Sequence, residues 1–373
     1  MRPIKITLVA GARPNFMKIA PLIRAFKKHD DRVKYRLVDT GQHTDPGMNR
    51  VFFEELGIPE PDVSLNCGGN SQAEVTARVM VEMERELQEH PADGVLVVGD
   101  VNSTLAAAIV AKKMQTTLIH VEAGLRSGDR SMPEEINRLA TDAISDILFV
   151  TEPSGEQALI QEGHPAEQLH FVGNVMIDNL FYQIDRLHAE PGNSGRSAAV
   201  RRTLGSNTRY GVVTMHRPAN VDDPENLRGI VATLRMLAED LPLVFPIHPR
   251  TRTRLDAHNI DLGPNIHTTP PLSYMEFLSL WKDAEIILTD SGGLQEEASA
   301  IGVRCVTMRD NTERPVTITD GTNILAGTNP ARILEVARQA LRFPPSSKRP
   351  RLWDGRAAER ILDIIIASPL FAR

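Results

Sequence analysis

The sequence predicts an α/β protein made of two doubly wound, Rossmann-like halves in series. Three observations predict it. The chain has 373 residues, more than one ordinary core takes and suited to two domains of roughly 150–200 residues. Short continuous apolar runs alternate with amphipathic stretches, as in parallel strands covered by helices on both faces. The alternation breaks at Glu190–Arg202 and restarts at Tyr210.

In the first half, the apolar runs Ile6–Val9, Tyr35–Val38, Gly94–Gly99, Thr117–Val121, Ile147–Val150 and Leu169–Val172 read as strands. Phe16–Lys28 reads as a helix because Ile19, Leu22, Ile23 and Phe26 recur on one face. Val75–Glu89, Thr104–Lys113, Pro133–Asp146 and Glu156–Glu162 follow as helices. In the second half, Tyr210–Met215, Leu243–Ile247, Ile286–Leu288 and Cys305–Met308 read as strands. The helices expected there are Pro224–Glu239, Ser273–Ala284, Leu294–Ile301 and Pro330–Phe343. Glu190–Arg202, rich in Gly, Ser, Asn and Arg, reads as an exposed segment near the seam. The expected domains are residues 1–175 and 176–355, with a last helix, about 356–373, packing back on the first. In such sheets ligands sit at the carboxyl ends of the strands, here expected to face a cleft between the halves.

Composition narrows the function. An apolar content of 41% with 24% charged residues is that of a soluble globular chain. A net charge of -6 argues against a nucleic-acid partner. No apolar run reaches the roughly 18 residues that span a bilayer, so no membrane role is expected. The chain opens directly into a strand without a charged-then-apolar leader, and Cys67 and Cys305 lie far apart. Both features point to a cytoplasmic protein with reduced thiols.

The chemistry-bearing motifs fall at strand ends. Gly11-Ala12-Arg13-Pro14-Asn15-Phe16-Met17-Lys18 turns from the first strand into a helix. Amides at a helix N-terminus favour an anion, and Arg13 and Lys18 add charge; the plainer alternative is an ordinary turn with two surface cations. No G-x-G-x-x-G follows, so NAD is not expected. Gly99-Asp100-Val101-Asn102 ends the strand beginning at Gly94. There Asp100 is either functional or a helix cap. Glu122 ends the next strand, and Met132-Pro133-Glu134-Glu135 opens a helix. Acids in a first turn also complement the helix dipole. Yet Asp100, Glu122 and Glu134 map to one rim, where neighbouring carboxylates raise one another's pKa values and can exchange protons. Metal binding is the weaker alternative, because no His or Cys has ligand spacing with them.

In the second half His216-Arg217 and His248 end adjacent strands. The strongest signal is Thr289-Asp290-Ser291-Gly292-Gly293-Leu294-Gln295-Glu296-Glu297. A strand leads into Ser-Gly-Gly, whose bare amides admit a diphosphate. Glu297, one turn later, could take both ribose hydroxyls. A glycine-rich turn explains the glycines but not the acids. Downstream, Arg314 could pair with phosphate.

Together these segments resemble the non-hydrolysing UDP-N-acetylglucosamine 2-epimerases, from Gly11 to about Gly327. The resemblance rests on Arg13-Pro14, Thr40-Gly41-Gln42-His43, Gly99-Asp100, His120 to Arg126, Pro133-Glu134-Glu135, Asn137-Arg138, His216-Arg217, Asp290 to Gly293 and Thr312 to Pro315. It implies a glycosyltransferase-B architecture, a homodimer, a UDP-sugar substrate and no redox cofactor. It also implies elimination of UDP to a 2-acetamidoglucal and re-addition with C2 inverted. By resemblance Asp100, Glu122 and Glu134 are the acid–base groups and His216 assists the departure and return of UDP. Arg13, Lys18, Arg138, Ser291, Gly292, Gly293, Glu297 and Arg314 would hold the nucleotide, with Phe277 near the uracil. Gln42, His43, Arg217 and His248 resemble part of a second, activating substrate site. Asp45 and Asn70 replace two glutamines expected there, and Ala219 replaces an acid. Asn15 also departs from the family's usual Glu. The alternatives are another UDP-N-acetylhexosamine such as a diacetamido uronic acid, a hydrolysing epimerase, a glycosyltransferase, and a UDP-sugar-binding regulator.

Overall fold

The computed structural model describes residues 2–42, 50–189, 195–205, 208–346 and 348–372. The chain divides by its contacts into two compact units, Met1–Phe181 with Arg351–Arg373, and Tyr182–Pro350. These limits fall somewhat after residue 175 and somewhat before residue 356, because the helix Val175–Ala189 runs through the first division.

The first unit is built on seven parallel strands: β1 (Ile4–Ala10), β2 (Val33–Asp39), β3 (Val63–Ser64), β4 (Gly94–Val98), β5 (Thr117–Ala123), β6 (Ile147–Val150) and β7 (Leu169–Phe171). Their spatial order is β3-β2-β1-β4-β5-β6-β7. Every residue of β4 and β6 is buried, which is why these central strands read as unbroken apolar runs. Helix Arg13–Lys28 buries Phe16, Ile19, Leu22, Ile23 and Phe26 against one face. The last helix, Ala357–Ala367, adds Ile361, Leu362 and Ile365 to the same core. Asp178 anchors its start by accepting the Ala357 and Ala358 amides at 3.1 and 2.7 Å.

The second unit has six parallel strands: β8 (Gly211–Thr214), β9 (Leu243–Pro246), β10 (Ile266–Thr269), β11 (Ile286–Thr289), β12 (Cys305–Thr307) and β13 (Asn323–Leu325). They run in the order β10-β9-β8-β11-β12-β13. Leu234, Leu237, Phe245, Leu288 and Ile333 are among its core residues. Both units are therefore doubly wound parallel sheets, as expected. In each the winding reverses once, between β1 and β4 and between β8 and β11, which opens a crevice at the carboxyl ends of those strands.

The departures from the sequence reading are at edges. Strands β3, β10 and β13 and the helix Pro249–Ala257 lacked a continuous apolar run or a clear stripe, whereas the stripe Ile177, Leu180, Phe181, Ile184 and Leu187 of the helix Val175–Ala189 was passed over. Edge strands are only half buried, as in the buried–exposed pattern of β10. Within the segment expected to be exposed over Glu190–Arg202, the described residues from Gly195 on form a largely exposed helix, Gly195–Leu204, with Ser197 buried. Its two alanines, three arginines and leucine favour a helix. Arg196 pairs with Glu276 at 2.7 Å and Arg201 with Asp283 at 3.1 Å. Among the described residues no helix is long and apolar enough to cross a membrane. Cys67 and Cys305 are buried free thiols.

Candidate active site

In the first unit the expected residues gather at the carboxyl ends of β1, β4 and β5. Asn15 stitches the first two together: its Oδ1 accepts the Gly11 amide at 3.3 Å and its Nδ2 donates to the Val98 carbonyl at 3.1 Å. A glutamate carboxylate could not donate to that carbonyl, so the departure at Asn15 is built into the local structure. Asp100 follows β4. It does not cap the next helix, whose N-cap is Val101 without a side-chain bond. Its carboxylate instead meets Arg138 at 2.5 Å. The other end of Arg138 holds Glu135 at 2.9 Å, and Glu135 accepts the Ser127 and Gly128 amides at 2.9 and 3.1 Å. Burial works to raise the Glu135 carboxyl, but those amides, the Ser127 hydroxyl and Arg138 together hold it below its ordinary value.

Glu122 is 3% exposed and sits at an irregularity in the pairing of β5 with β6. Its φ of +73° is left-handed, which costs a non-glycine residue about 1–2 kcal/mol. Such conformations persist where the surroundings impose them and cluster at functional sites. Lys18 Nζ lies 2.7 Å from its Oε1. Asp100 and Glu122 thus each sit beside a cation, a pairing the sequence reading did not include. Glu134 is exposed in the first turn of the helix Pro133–Ile144. It shares a concavity of about 530 Å³ with Asp100, Gln42, Asn70 and Asn137. Gln42 accepts from both the amide and the hydroxyl of Ser103, at 3.0 and 2.8 Å. His43 and Asp45 lie outside the described residues. Arg13 stacks its guanidinium over Phe52, 5.0 Å from the ring centre. Lys18 and Arg138, expected with the nucleotide, are therefore partners of the acids in this unit.

In the second unit the residues gather at the ends of β8 and β11. Asp290 is fully buried and organises them. Its Oδ2 accepts the His216 and Arg217 amides at 2.9 and 2.8 Å and the Asn220 side-chain amide at 3.1 Å. His216 Nδ1 lies 3.1 Å from its Oδ1. Burial opposes ionisation of Asp290, but His216 and the amides outweigh it and lower the pKa. The His216 ring is 43% exposed and lies 5.4 Å from the His248 ring. His248 Nδ1 accepts the Arg250 amide at 3.2 Å, capping the helix Pro249–Ala257. Arg217 Nε donates to the Asp290 carbonyl at 2.9 Å.

The helix Gly292–Ile301 begins with the two glycines, and Ser291, its N-cap, makes no side-chain cap bond. A Cβ on Gly293 would meet nothing within 4 Å, and one on Gly292 only the Arg309 Nη1, at 3.9 Å. Neither packing nor backbone conformation requires glycine there. Further along, Glu297 is buried and accepts from the Tyr274 hydroxyl at 2.6 Å. Burial, aided by Glu296 and opposed by Tyr274, pushes its pKa up to about 7. Phe277 is half-buried one helical turn after Tyr274, on the same face of the helix Tyr274–Trp281. Arg314 Nε pairs with Glu296 at 2.6 Å.

Sequence reasoning missed Tyr274 and Asp142, and it quoted His120, Glu135 and Asp290 without giving them individual roles. Glu135, Arg138 and Asp142 follow one another at helical spacing, which reads as a solvent face; only the tertiary structure buries it. Among the described residues no three His, Cys, Asp or Glu side chains group as metal ligands.

Comparison with known proteins converges. A family model described as UDP-N-acetylglucosamine 2-epimerase matches residues 24–366. The UDP-N-acetylglucosamine 2-epimerase of Methanocaldococcus jannaschii is 39% identical over 368 residues, 97% of this chain and 99% of that protein. The UDP-2,3-diacetamido-2,3-dideoxy-D-glucuronate 2-epimerase of Pseudomonas aeruginosa is 37% identical over 365 residues, 97% of this chain and 99% of that protein. A crystal structure of the M. jannaschii UDP-GlcNAc 2-epimerase in complex with UDP-GlcNAc and UDP matches with a TM-score of 0.83 at 38% identity, over 98% of this chain and 100% of that one. With the family model and these relatives spanning nearly its whole length, this chain belongs to the UDP-N-acetylglucosamine 2-epimerase family.

Proposed function

We propose that the protein interconverts UDP-N-acetylglucosamine and UDP-N-acetylmannosamine by elimination and re-addition of UDP. In the forward step the C2 proton passes to a carboxylate, the C1–O bond to UDP breaks, and 2-acetamidoglucal remains. In the return step a proton enters C2 from the opposite face and the UDP oxygen re-forms the bond to C1. No net oxidation occurs, and no redox cofactor is invoked. The acid rim suits the proton transfers: Asp100 and Glu122 each lie beside a cation, and Glu134 shares the Asp100 concavity. His216, oriented by Asp290, serves the departing diphosphate.

The observation that carries the nucleotide half is the turn at Ser291–Gly293. The Ser291 side chain does not cap the helix amides, and the two glycines are dictated by nothing within the protein, which is the arrangement a close-approaching diphosphate needs. Glu297 takes the ribose hydroxyls and Phe277 borders the uracil. Arg13, Lys18, Arg138 and Arg314 complete the charge environment. Gln42, His43, Arg217 and His248 are candidates for a second substrate molecule, with Asn70 on the wall of the Asp100 concavity. The reading includes a homodimer, checked by sedimentation velocity.

The test is incubation with UDP-N-acetylglucosamine in heavy water. Deuterium should enter C2 and the N-acetylmannosamine signal should appear by NMR. Absence of exchange with any UDP-N-acetylhexosamine would refute the reading. The near-equal identity to the P. aeruginosa relative supports a second reading, a diacetamido uronate substrate. Comparing kcat/KM on the two UDP-sugars separates them.

A further inference from the structure

Two of the proposed acids are carried on backbone turns that a single buried hydrogen-bonded pair ties together. His120, in β5, and Asp142, in the helix Pro133–Ile144, are both 0% exposed. His120 Nδ1 lies 2.6 Å from Asp142 Oδ1, and its Nε2 lies 2.9 Å from the Gly99 carbonyl. Gly99 immediately precedes Asp100, has φ +69° and donates its own amide to the Val121 carbonyl at 3.1 Å. The second Asp142 oxygen accepts the Gly124 amide at 3.1 Å and faces Arg126 Nη1 at 2.8 Å. Gly124 has φ +80° and no room for a side chain, since a Cβ would lie 2.4 Å from the Gly155 carbonyl oxygen. Glu122, with its left-handed backbone, stands between His120 and Gly124. The path Gly99–His120–Asp142–Gly124 therefore brackets both acids.

The bonding fixes the protons. A carbonyl only accepts, so Nε2 must donate to Gly99. Burial opposes the Asp142 carboxylate, but His120 and Arg126 overcome it and lower its pKa. Both ring nitrogens therefore face acceptors, and the ring is sealed between two strand ends. Fully buried, it cannot touch a substrate; it acts through the backbone it holds.

We infer that the His120–Asp142 pair is the positioning element of the active site, fixing the Gly99–Asp100 turn relative to the Glu122 bulge so that both acids reach the sugar. This rests on the proposed roles of Asp100 and Glu122. Misplacing a reacting group by about 1 Å can cost on the order of 100-fold. The variants His120→Gln and Asp142→Asn should therefore lose about 100-fold in kcat and in C2 deuterium exchange, while KM and the calorimetric Kd for UDP stay within about threefold. A merely structural role would lower the melting temperature and leave kcat per folded molecule unchanged. Near-normal kcat in both folded variants, or a parallel loss of UDP affinity, would overturn the proposal. Should either variant fail to fold, ¹⁵N NMR of the intact protein decides. The His120 Nε2 proton held by the Gly99 carbonyl and the Gly124 amide held by Asp142 should both resist exchange with solvent, and rapid exchange of either overturns the pair as drawn. A wild-type protein inert on every UDP-sugar would sink the functional reading instead, leaving the NMR result to judge the pair alone.

Discussion

The two units share a topology and differ in how they treat buried charge. Each places its candidate residues where the winding reverses, and each uses one fully buried aspartate to hold strand ends. In the first unit Asp142 is met by the fully buried His120 ring, the Arg126 guanidinium and one backbone amide, that of Gly124. In the second Asp290 is met by two backbone amides, the Asn220 amide and a half-exposed His216. The first unit also pairs each strand-end acid with a cation. The second leaves helix amides uncapped beside glycines that nothing in the protein requires. On the proposed function, one fold supports two kinds of work. Ion-paired acids on locked turns suit proton transfer, which needs fixed geometry. Bare amides suit an anion, which brings its own charge.

The division of labour can be broken most sharply at the acids. Asp100→Asn and Glu122→Gln should lose roughly 10²–10⁴-fold in turnover and keep UDP affinity within about twofold, measured by C2 exchange and calorimetry. Loss of UDP binding in step with turnover would erase the distinction between the units.

Next in size is a pH effect in the second unit. Glu297 titrates at about 7 in the folded protein against an ordinary 4.5. The folded state therefore binds the extra proton between these values. Its stabilisation is full below pH 4.5 and is lost as pH rises through 7, an effect of order 3 kcal/mol. Glu297→Gln should flatten that slope in chemical denaturation across pH 5–8. If the carboxylate form receives the ribose hydroxyls, UDP affinity runs the opposite way and falls as pH drops from 8 to 6.

The last helix offers a control confined to the first unit. Asp178→Ala removes the acceptor for two buried helix amides, at a cost of about 2 kcal/mol. Proteolysis should then open residues near Ala357 first, while second-unit fragments resist. The smallest expected effect is also the most selective. Gly293→Ala should weaken UDP by about tenfold, roughly 1.4 kcal/mol, without lowering the melting temperature, because the added methyl meets no protein atom. Unchanged UDP affinity would reassign the glycines to an ordinary turn.

Much of the site was legible as local chemistry. Gly99-Asp100, His216-Arg217 and Ser291-Gly292-Gly293 could be placed at strand ends because a buried parallel strand announces itself as an apolar run and its turn follows at once. The helix Gly195–Leu204 could not, because its arginines are held by Glu276 and Asp283 some eighty residues away. The Asp100 cap was left open by the sequence and decided by Arg138, which arrives from another helix.

Sequence by itself determined the alternation of elements, the two-unit count and the residues that end the central strands, since each depends on near neighbours in the chain. Tertiary structure alone decided which cation faces which acid, that Glu122 is left-handed, that Glu297 is buried against Tyr274, and that His120 and Asp142 meet. Those are pairings between distant segments and backbone states imposed by packing, and no local pattern of residues encodes either.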